Sequence, residues 1–289
     1  MEVTRTNRHN PRGTELLKKK TVLRRVLQSD PGQEYYVYVP STGGHEAPIC
    51  VLVHGISRNP RDLLKRFIPY AEALGVVVVA PHFTEALHVG YQRLGRDGRG
   101  MRSDLALNSI VEEVAWLTDA SSLQIYLFGH SGGAQFVHRY VMAYPQRVAR
   151  AAVASAGWFT PPDVHHRFPY GIRPSKRLRG VRFDPEEFLR VPITVLVGSE
   201  DTSPGGVRRS KRVDVQGTTR VERARNWVAA MHTAAVTYGL APAVSLHEME
   251  GGKHSFKTLM AHNQLGSQVF EALFGTPPKR ASGGGNGKQ

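Results

Sequence analysis

The sequence predicts an α/β fold: a mostly parallel central sheet with helices on both faces and a short lid segment. Three observations carry this expectation. Short apolar runs, among them "ICVLVHG", "VVVVAP", "LQIYLFG", "AAVASAG" and "ITVLVGSED", are continuous enough for strands buried on both faces. Stretches with apolar residues spaced by three and four lie between several of these runs. The residues able to do chemistry follow the runs directly, at the carboxyl ends of strands, where parallel sheets gather their ligand sites.

Taken in order, "TVLRRVLQ" and "EYYVYVP" flank "SDPG" and read as a hairpin turning at Pro31 and Gly32. "NPRDLLKRFIPYAEALG" is expected to be helical in part, broken or kinked at Pro69. A Gly- and Arg-rich loop follows "VVVVAP", then a helix with Leu107, Ile110, Val111, Val114 and Leu117 on one face. A second helix aligns Val137, Tyr140, Val141 and Tyr144. The Pro- and Arg-rich stretch 160–191 has the length of a small lid. Val221, Ala224, Val228, Met231, Ala235 and Tyr238 mark a further helix before the last strand, "AVSLHEME", and a final helix is expected around Phe256–Phe274. No repeat or linker divides the chain, so the expected organisation is a basic arm over 1–20, one domain over 21–276 and a tail over 277–289.

The 289 residues suffice for a sizeable core, with 40% hydrophobic and 21% charged residues. No apolar run approaches the roughly 20 residues of a membrane span. The polar, basic N-terminus does not read as a secretory signal, and the single cysteine, Cys50, permits no intrachain disulfide. A cytoplasmic location is therefore the expectation. The net charge of +14 is high, but the basic residues are dispersed among 1–20, 93–102, 173–182 and 208–212. No zinc-finger or aromatic RNA-binding motif accompanies them, so nucleic acid is not an expected partner and a solvated basic surface is the simpler reading.

"GHSGG", residues 129–133, carries the functional signal. To present a hydroxyl at the tip of a strand, Ser131 must occupy a strained turn. The residues two positions on either side must then be small, because strand and helix approach closely there. The helix that follows turns its free N–H groups and positive dipole end toward any anion formed at the serine. A serine nucleophile needs a base, and the base an orienting acid. Among thirteen histidines, His254 in "EGGKHSF" occupies a Gly-rich loop after the last strand, from which it can reach the serine. His130 is expected to point away, His54 to shape the "HG" turn, and His138 and His232 to be surface or packing residues. His165 and His166 lack further ligands at metal spacing, so no metal is expected. Asp201, at the end of "ITVLVGSED", is the expected acid, with Glu200 and Asp163 as alternatives.

The order Ser131, Asp201, His254, together with "VLVHGI", "GHSGG", "VGSED" and "GGKHSF", resembles the α/β-hydrolase superfamily over residues 20–275. Within it the chain is similar to bacterial serine esterases related to polyhydroxyalkanoate depolymerases and feruloyl esterases. The resemblance implies an α/β-hydrolase fold and a cofactor-independent serine esterase acting on a small-molecule ester. It also implies an oxyanion hole formed by the amides of Ile56 and Gly132. A secretion signal and cysteines, usual in extracellular polymer-degrading relatives, are lacking, which argues against a polymer substrate. An acyltransferase or thioesterase of the same fold, or a non-catalytic binding protein, are the competing readings. Trp158 is a candidate wall of the substrate site, against core packing. Arg58, Arg93, Arg96, Arg99 and Arg102 are candidates for a basic rim that favours anionic esters, against simple solvation; Arg58 is the one assigned to substrate binding. Substrate identity and oligomeric state are not legible.

Overall fold

The computed structural model describes residues 17–95, 100–176 and 178–275. An antiparallel hairpin, β1 (Val22–Leu27) and β2 (Asp30–Tyr38), opens the chain, followed by β3 (Pro48–Val53), α1 (Pro60–Leu74), β4 (Val77–His82) and α2 (Ser103–Thr118). Next come β5 (Ser121–His130), α3 (Gly132–Ala143), β6 (Val148–Ala154), α4 (Pro185–Phe188) and β7 (Ile193–Gly198). The chain ends with α5 (Lys211–Asp214), α6 (Arg220–Thr237), β8 (Val244–Met249), α7 (Phe256–His262) and α8 (Leu265–Phe274). The strands form one eight-stranded sheet in the order β1-β2-β4-β3-β5-β6-β7-β8. β2 runs antiparallel to both of its neighbours, and every pair from β4 onward is parallel.

Side chains alternate across each strand and supply two cores. Val51 and Val53 of β3 join Leu107, Ile110, Val137, Tyr140 and Trp227 on the face covered by α2, α3 and α6. Cys50 and Leu52 point to the other face, where Phe67 of α1 and Phe270 of α8 stack at 5.7 Å. Burying each such Val or Phe contributes about 1.5–3 kcal/mol, so the sheet is held from both sides. The carboxyl-terminal parts of its four central parallel strands are buried, as their unbroken hydrophobicity required.

Three local expectations are corrected. The hairpin turns at Gln28 and Ser29, with Leu27 opposite Asp30, while Pro31 and Gly32 lie in the exposed start of β2. α1 runs unbroken through Pro69, because that residue is on the solvent face, where water can take the carbonyl freed four residues earlier. The last helix is two, α7 and α8, separated by Gln264 at φ 51°. Of the expected N-terminal arm, only 17–20 are described: Leu17 is buried, and the Lys20 amide donates to Val39 O at 2.9 Å. The tail 277–289 lies outside the described residues. Among the described residues, no helix is long and apolar enough to cross a membrane.

Candidate active site

Ser131 occupies a sharp turn between β5 and α3 at φ 55° and ψ −110°, a conformation that costs energy in any residue with a side chain. Its amide donates to Ala154 O at 2.8 Å, which pins the turn to the end of β6. The flanking glycines are steric necessities. A Cβ at Gly133 would stand 2.0 Å from Val53 O, and one at Gly129 would stand 2.3 Å from the Gly133 carbonyl carbon. Strand, helix and the end of β3 therefore meet at van der Waals distance only if both positions lack side chains.

The turn after β3 lies beside the elbow. The position of a Cβ on Gly132 is 3.3 Å from the Ile56 amide nitrogen, so the two amides expected to hold an oxyanion are neighbours. Gly132 is the first residue of α3, where amides have no intrahelical acceptor, and Ile56 is exposed, with its amide bonded to no backbone carbonyl among the described residues. His54 braces this turn from within. Its Nδ1–H donates to Gly55 O at 2.9 Å and its Nε2 accepts from the Phe83 amide at 3.0 Å, and the Tyr91 hydroxyl donates to His54 O at 3.0 Å. Burial pushes the His54 pKa down to about 4, so it is neutral and structural at pH 7.

The other two candidates are joined. His254 Nδ1 is 2.9 Å from Asp201 Oδ2, with Asp201 buried and the His254 side chain 36% exposed. The loops that carry them approach as closely as backbone allows. Gly198 ends β7, and a Cβ there would lie 2.2 Å from Gly252 O. The Glu200 amide donates to Gly252 O at 2.9 Å, and Asn263 Nδ2, just past the end of α7, donates to Glu250 O at 2.7 Å. Burial raises the Asp201 carboxyl, but the His254 hydrogen bond and the Arg220 cation outweigh it, and the net shift is downward. Ser131 Oγ makes no hydrogen bond among the described residues; an unliganded site often leaves this contact open until substrate binds.

The alternative acids point elsewhere. Glu200 is exposed with Lys253 Nζ at 3.7 Å, and Asp163 accepts from the His165 amide and pairs with His166 at 2.6 Å. Two partners were not legible in the sequence. Arg220, the buried first residue of α6, donates to Asp201 Oδ1 at 3.0 Å. His130 packs against the base candidate: its Nε2–H donates to His254 O at 3.1 Å with the two rings 5.2 Å apart, bracing the His254 loop. Being next to the nucleophile was its only sequence signal.

The rim and wall candidates are dispersed. Arg58 donates to Phe83 O, and its guanidinium lies 5.0 Å from the Tyr91 ring centre. Arg102 forms a two-bond pair with Asp104, at 2.8 and 2.5 Å. Arg96 and Arg99 lie outside the described residues. Trp158 is 3% exposed, with the Arg139 guanidinium 4.2 Å from its ring centre. His138 is fully buried, its Nε2 accepting from the Thr160 amide, and His232 is partly buried, its Nε2–H donating to Val244 O at 2.5 Å. Among the described residues, no group of three or more His, Cys, Asp or Glu side chains is placed to hold a metal ion.

Strand order and elbow together define an α/β-hydrolase fold. No family model and no curated protein matches the sequence. Among solved structures, the chain is similar to the poly(3-hydroxybutyrate) depolymerase LpqC of Bordetella parapertussis at 26% identity and TM-score 0.73, covering 90% of this chain and 92% of that one. It is similar to poly(aspartic acid) hydrolase-1 of Sphingomonas sp. KT-1 at 24% identity and TM-score 0.73, covering 86% and 98%. A fluorophosphonate-binding serine hydrolase of Staphylococcus aureus shares the fold at 13% identity and TM-score 0.55, covering 86% and 97%.

The buried histidines make the fold acid-sensitive. Burial lowers His54 and His88 to about 4 and His130 to about 3, from an ordinary 6.5. Below pH 6.5 the unfolded chain takes up these protons first, so stability is lost as pH falls from about 6.5 toward 4. At its limit the loss is on the order of 3 kcal/mol per histidine. The melting temperature, followed by calorimetry, is expected to fall steadily across this window; a flat profile would contradict the buried neutral assignment.

Proposed function

We propose that the protein is a serine hydrolase that cleaves a carboxylic ester through an acyl-enzyme on Ser131. The observation that carries this reading is the Asp201–His254 hydrogen bond, formed at the strand ends that also present Ser131 on a strained elbow. Similarity to a poly(3-hydroxybutyrate) depolymerase supports an ester as the substrate.

In this reading Asp201 holds the proton of His254 on Nδ1, leaving Nε2 free to accept one. Ser131 Oγ attacks the ester carbonyl while its proton passes to His254 Nε2. The amides of Ile56 and Gly132 donate to the oxyanion of the tetrahedral intermediate. Collapse breaks the carbon–oxygen bond of the ester, and the alcohol leaves with the proton from Nε2. Water then attacks the acyl-enzyme, giving its proton to His254, which returns it to Ser131 as the acid departs. Arg220 and His130 act on the pair as positioning residues. The chemistry of these steps calls on no cofactor.

A series of 4-nitrophenyl esters of increasing acyl length, set against matched thioesters and against added alcohol acceptors, tests the reading. Oxygen esters are expected to turn over fastest, with water taking the acyl group. Preferential transfer to the acceptor would establish an acyltransferase, faster thioester turnover a thioesterase, and no turnover of any acyl donor a binding protein.

A further inference from the structure

We propose that the cavity under the 160–191 segment is a carboxylate-binding pocket that receives an acidic chain of the substrate, so that the enzyme prefers esters bearing several carboxylates. This rests on the reading of Ser131 as nucleophile. The cavity, about 770 Å³, is walled by Arg93 and Gly95 after β4, by residues between His165 and Lys176 with Leu178, and by Arg208 and Arg212 between β7 and α6. Arg93, Arg167, Arg173, Lys176, Arg208 and Arg212 line it, and among the described residues no Asp or Glu does.

Several arginines elsewhere are neutralised. Arg24, Arg102, Arg147, Arg220, Arg223 and Arg225 each pair with a carboxylate. Among the described residues, none of the five lining arginines forms an ion pair; Arg208 reaches the Tyr170 hydroxyl at 3.1 Å, and Arg212 lies 5.4 Å from the centre of the Tyr170 ring. Asp163, next in sequence to the lining segment, is taken up by the His165 amide and the His166 ring. Basic residues from the 93–102, 173–182 and 208–212 stretches, with Arg167, thus meet at one cavity, and among the described residues no carboxylate pairs with its arginines.

Arg139 strengthens the case from below. It is fully buried, faces no carboxylate, and its Nη2 has no partner. Its other nitrogens donate to Thr160 Oγ1 at 2.9 Å, Gln92 O at 2.6 Å and Gln135 O at 3.1 Å. It shares Trp158 with Arg208: their guanidinium groups lie 4.2 and 5.5 Å from the centre of that ring. Burial first, and then Arg93 and Arg208, lower the pKa of Arg139 well below its ordinary value. An uncompensated buried guanidinium is costly, and repulsion from its neighbours adds to the cost; a bound anion would offset both.

None of Ser131, Gly132, Ile56 or His254 lines the cavity, but two elements connect it to them. Arg93 lies on the same short 3-10 turn as Tyr91, whose hydroxyl stands 2.5 Å from where a Gly132 side chain would begin. Arg139 reaches back to Gln135 O, about one helical turn, or ~5.4 Å along the α3 axis, beyond Ser131. A substrate with its carbonyl at Ser131 would lay the rest of its chain among these cations. Planar guanidinium forks suit carboxylates, and so many cations in one cavity suit a chain with several.

The test is calorimetric titration of pentaglutamate, pentaglutamine and inorganic phosphate into the wild-type protein at low salt, repeated on the Arg208→Gln/Arg212→Gln double variant. Pentaglutamate is expected to bind, to weaken about tenfold in the double variant and to weaken further as salt rises, while pentaglutamine does not bind. Equal binding of the two peptides, an unchanged double variant, or phosphate binding as tightly as pentaglutamate would overturn the proposal. A kinetic arm compares kcat/KM for the 4-nitrophenyl monoester of a dicarboxylic acid with its neutral methyl ester. A ratio well above one supports a substrate role; a ratio of one would overturn it. Titration needs no turnover, so failure of Ser131 as nucleophile would leave its outcome standing and be seen separately.

Discussion

Replacing Ser131 by Ala is expected to lower kcat for ester hydrolysis by about 10⁴- to 10⁶-fold while leaving the fold intact. The rate falls because the acyl-enzyme can no longer form. The fold survives because the hydroxyl makes no hydrogen bond among the described residues, while the backbone bond from the Ser131 amide to Ala154 O is kept. Stability should therefore change by less than about 0.5 kcal/mol. His254→Ala should cost nearly as much activity, and the double variant little more, since groups acting as one unit are not additive. Near wild-type turnover in His254→Ala would assign the base to another residue.

The second large effect is at Asp201. Asp201→Asn should lower kcat by about 10⁴-fold, because the amide can donate to Nδ1 and so favours the wrong imidazole tautomer. This variant should also lose stability. Arg220 is buried against the carboxylate at 3.0 Å, and a neutral partner leaves that cation less compensated. Glu200→Gln and Asp163→Asn should leave the rate nearly unchanged, as their carboxylates face Lys253 and His166. A collapse of activity in either control, with Asp201→Asn active, would relocate the acid. Steady-state kinetics and thermal melting of the same preparations separate the catalytic loss from the structural one.

The parts of this site that were legible in sequence are those set by local physics. Gly129, Ser131 and Gly133 announce a strained turn because only small neighbours permit it, and Asp201 and His254 follow strands whose apolar runs are unmistakable. What was not legible depends on contacts between distant segments. Arg220 lies 19 residues from Asp201 and reads as an ordinary helix start. Arg139 falls off the apolar stripe of Val137, Tyr140, Val141 and Tyr144, yet it is fully buried against Thr160 and Gln92 rather than solvated. Pro69 and the Gln28–Ser29 turn were misplaced for a related reason: tertiary position decides whether a proline faces solvent, and strand register decides which residues turn. The clustering of lining arginines required Arg93 after β4, Arg167 and Arg173, and Arg208 and Arg212 before α6 to converge, which no single stretch reveals.

Central to the account is a nucleophilic Ser131, and covalent labelling tests it most directly. Incubation with a fluorophosphonate, followed by intact-mass and peptide mass spectrometry, is expected to show one adduct on the peptide containing Ser131. Labelling should vanish in Ser131→Ala and slow strongly in His254→Ala. An adduct on another residue, or an unlabelled wild-type protein that still hydrolyses esters, would contradict it.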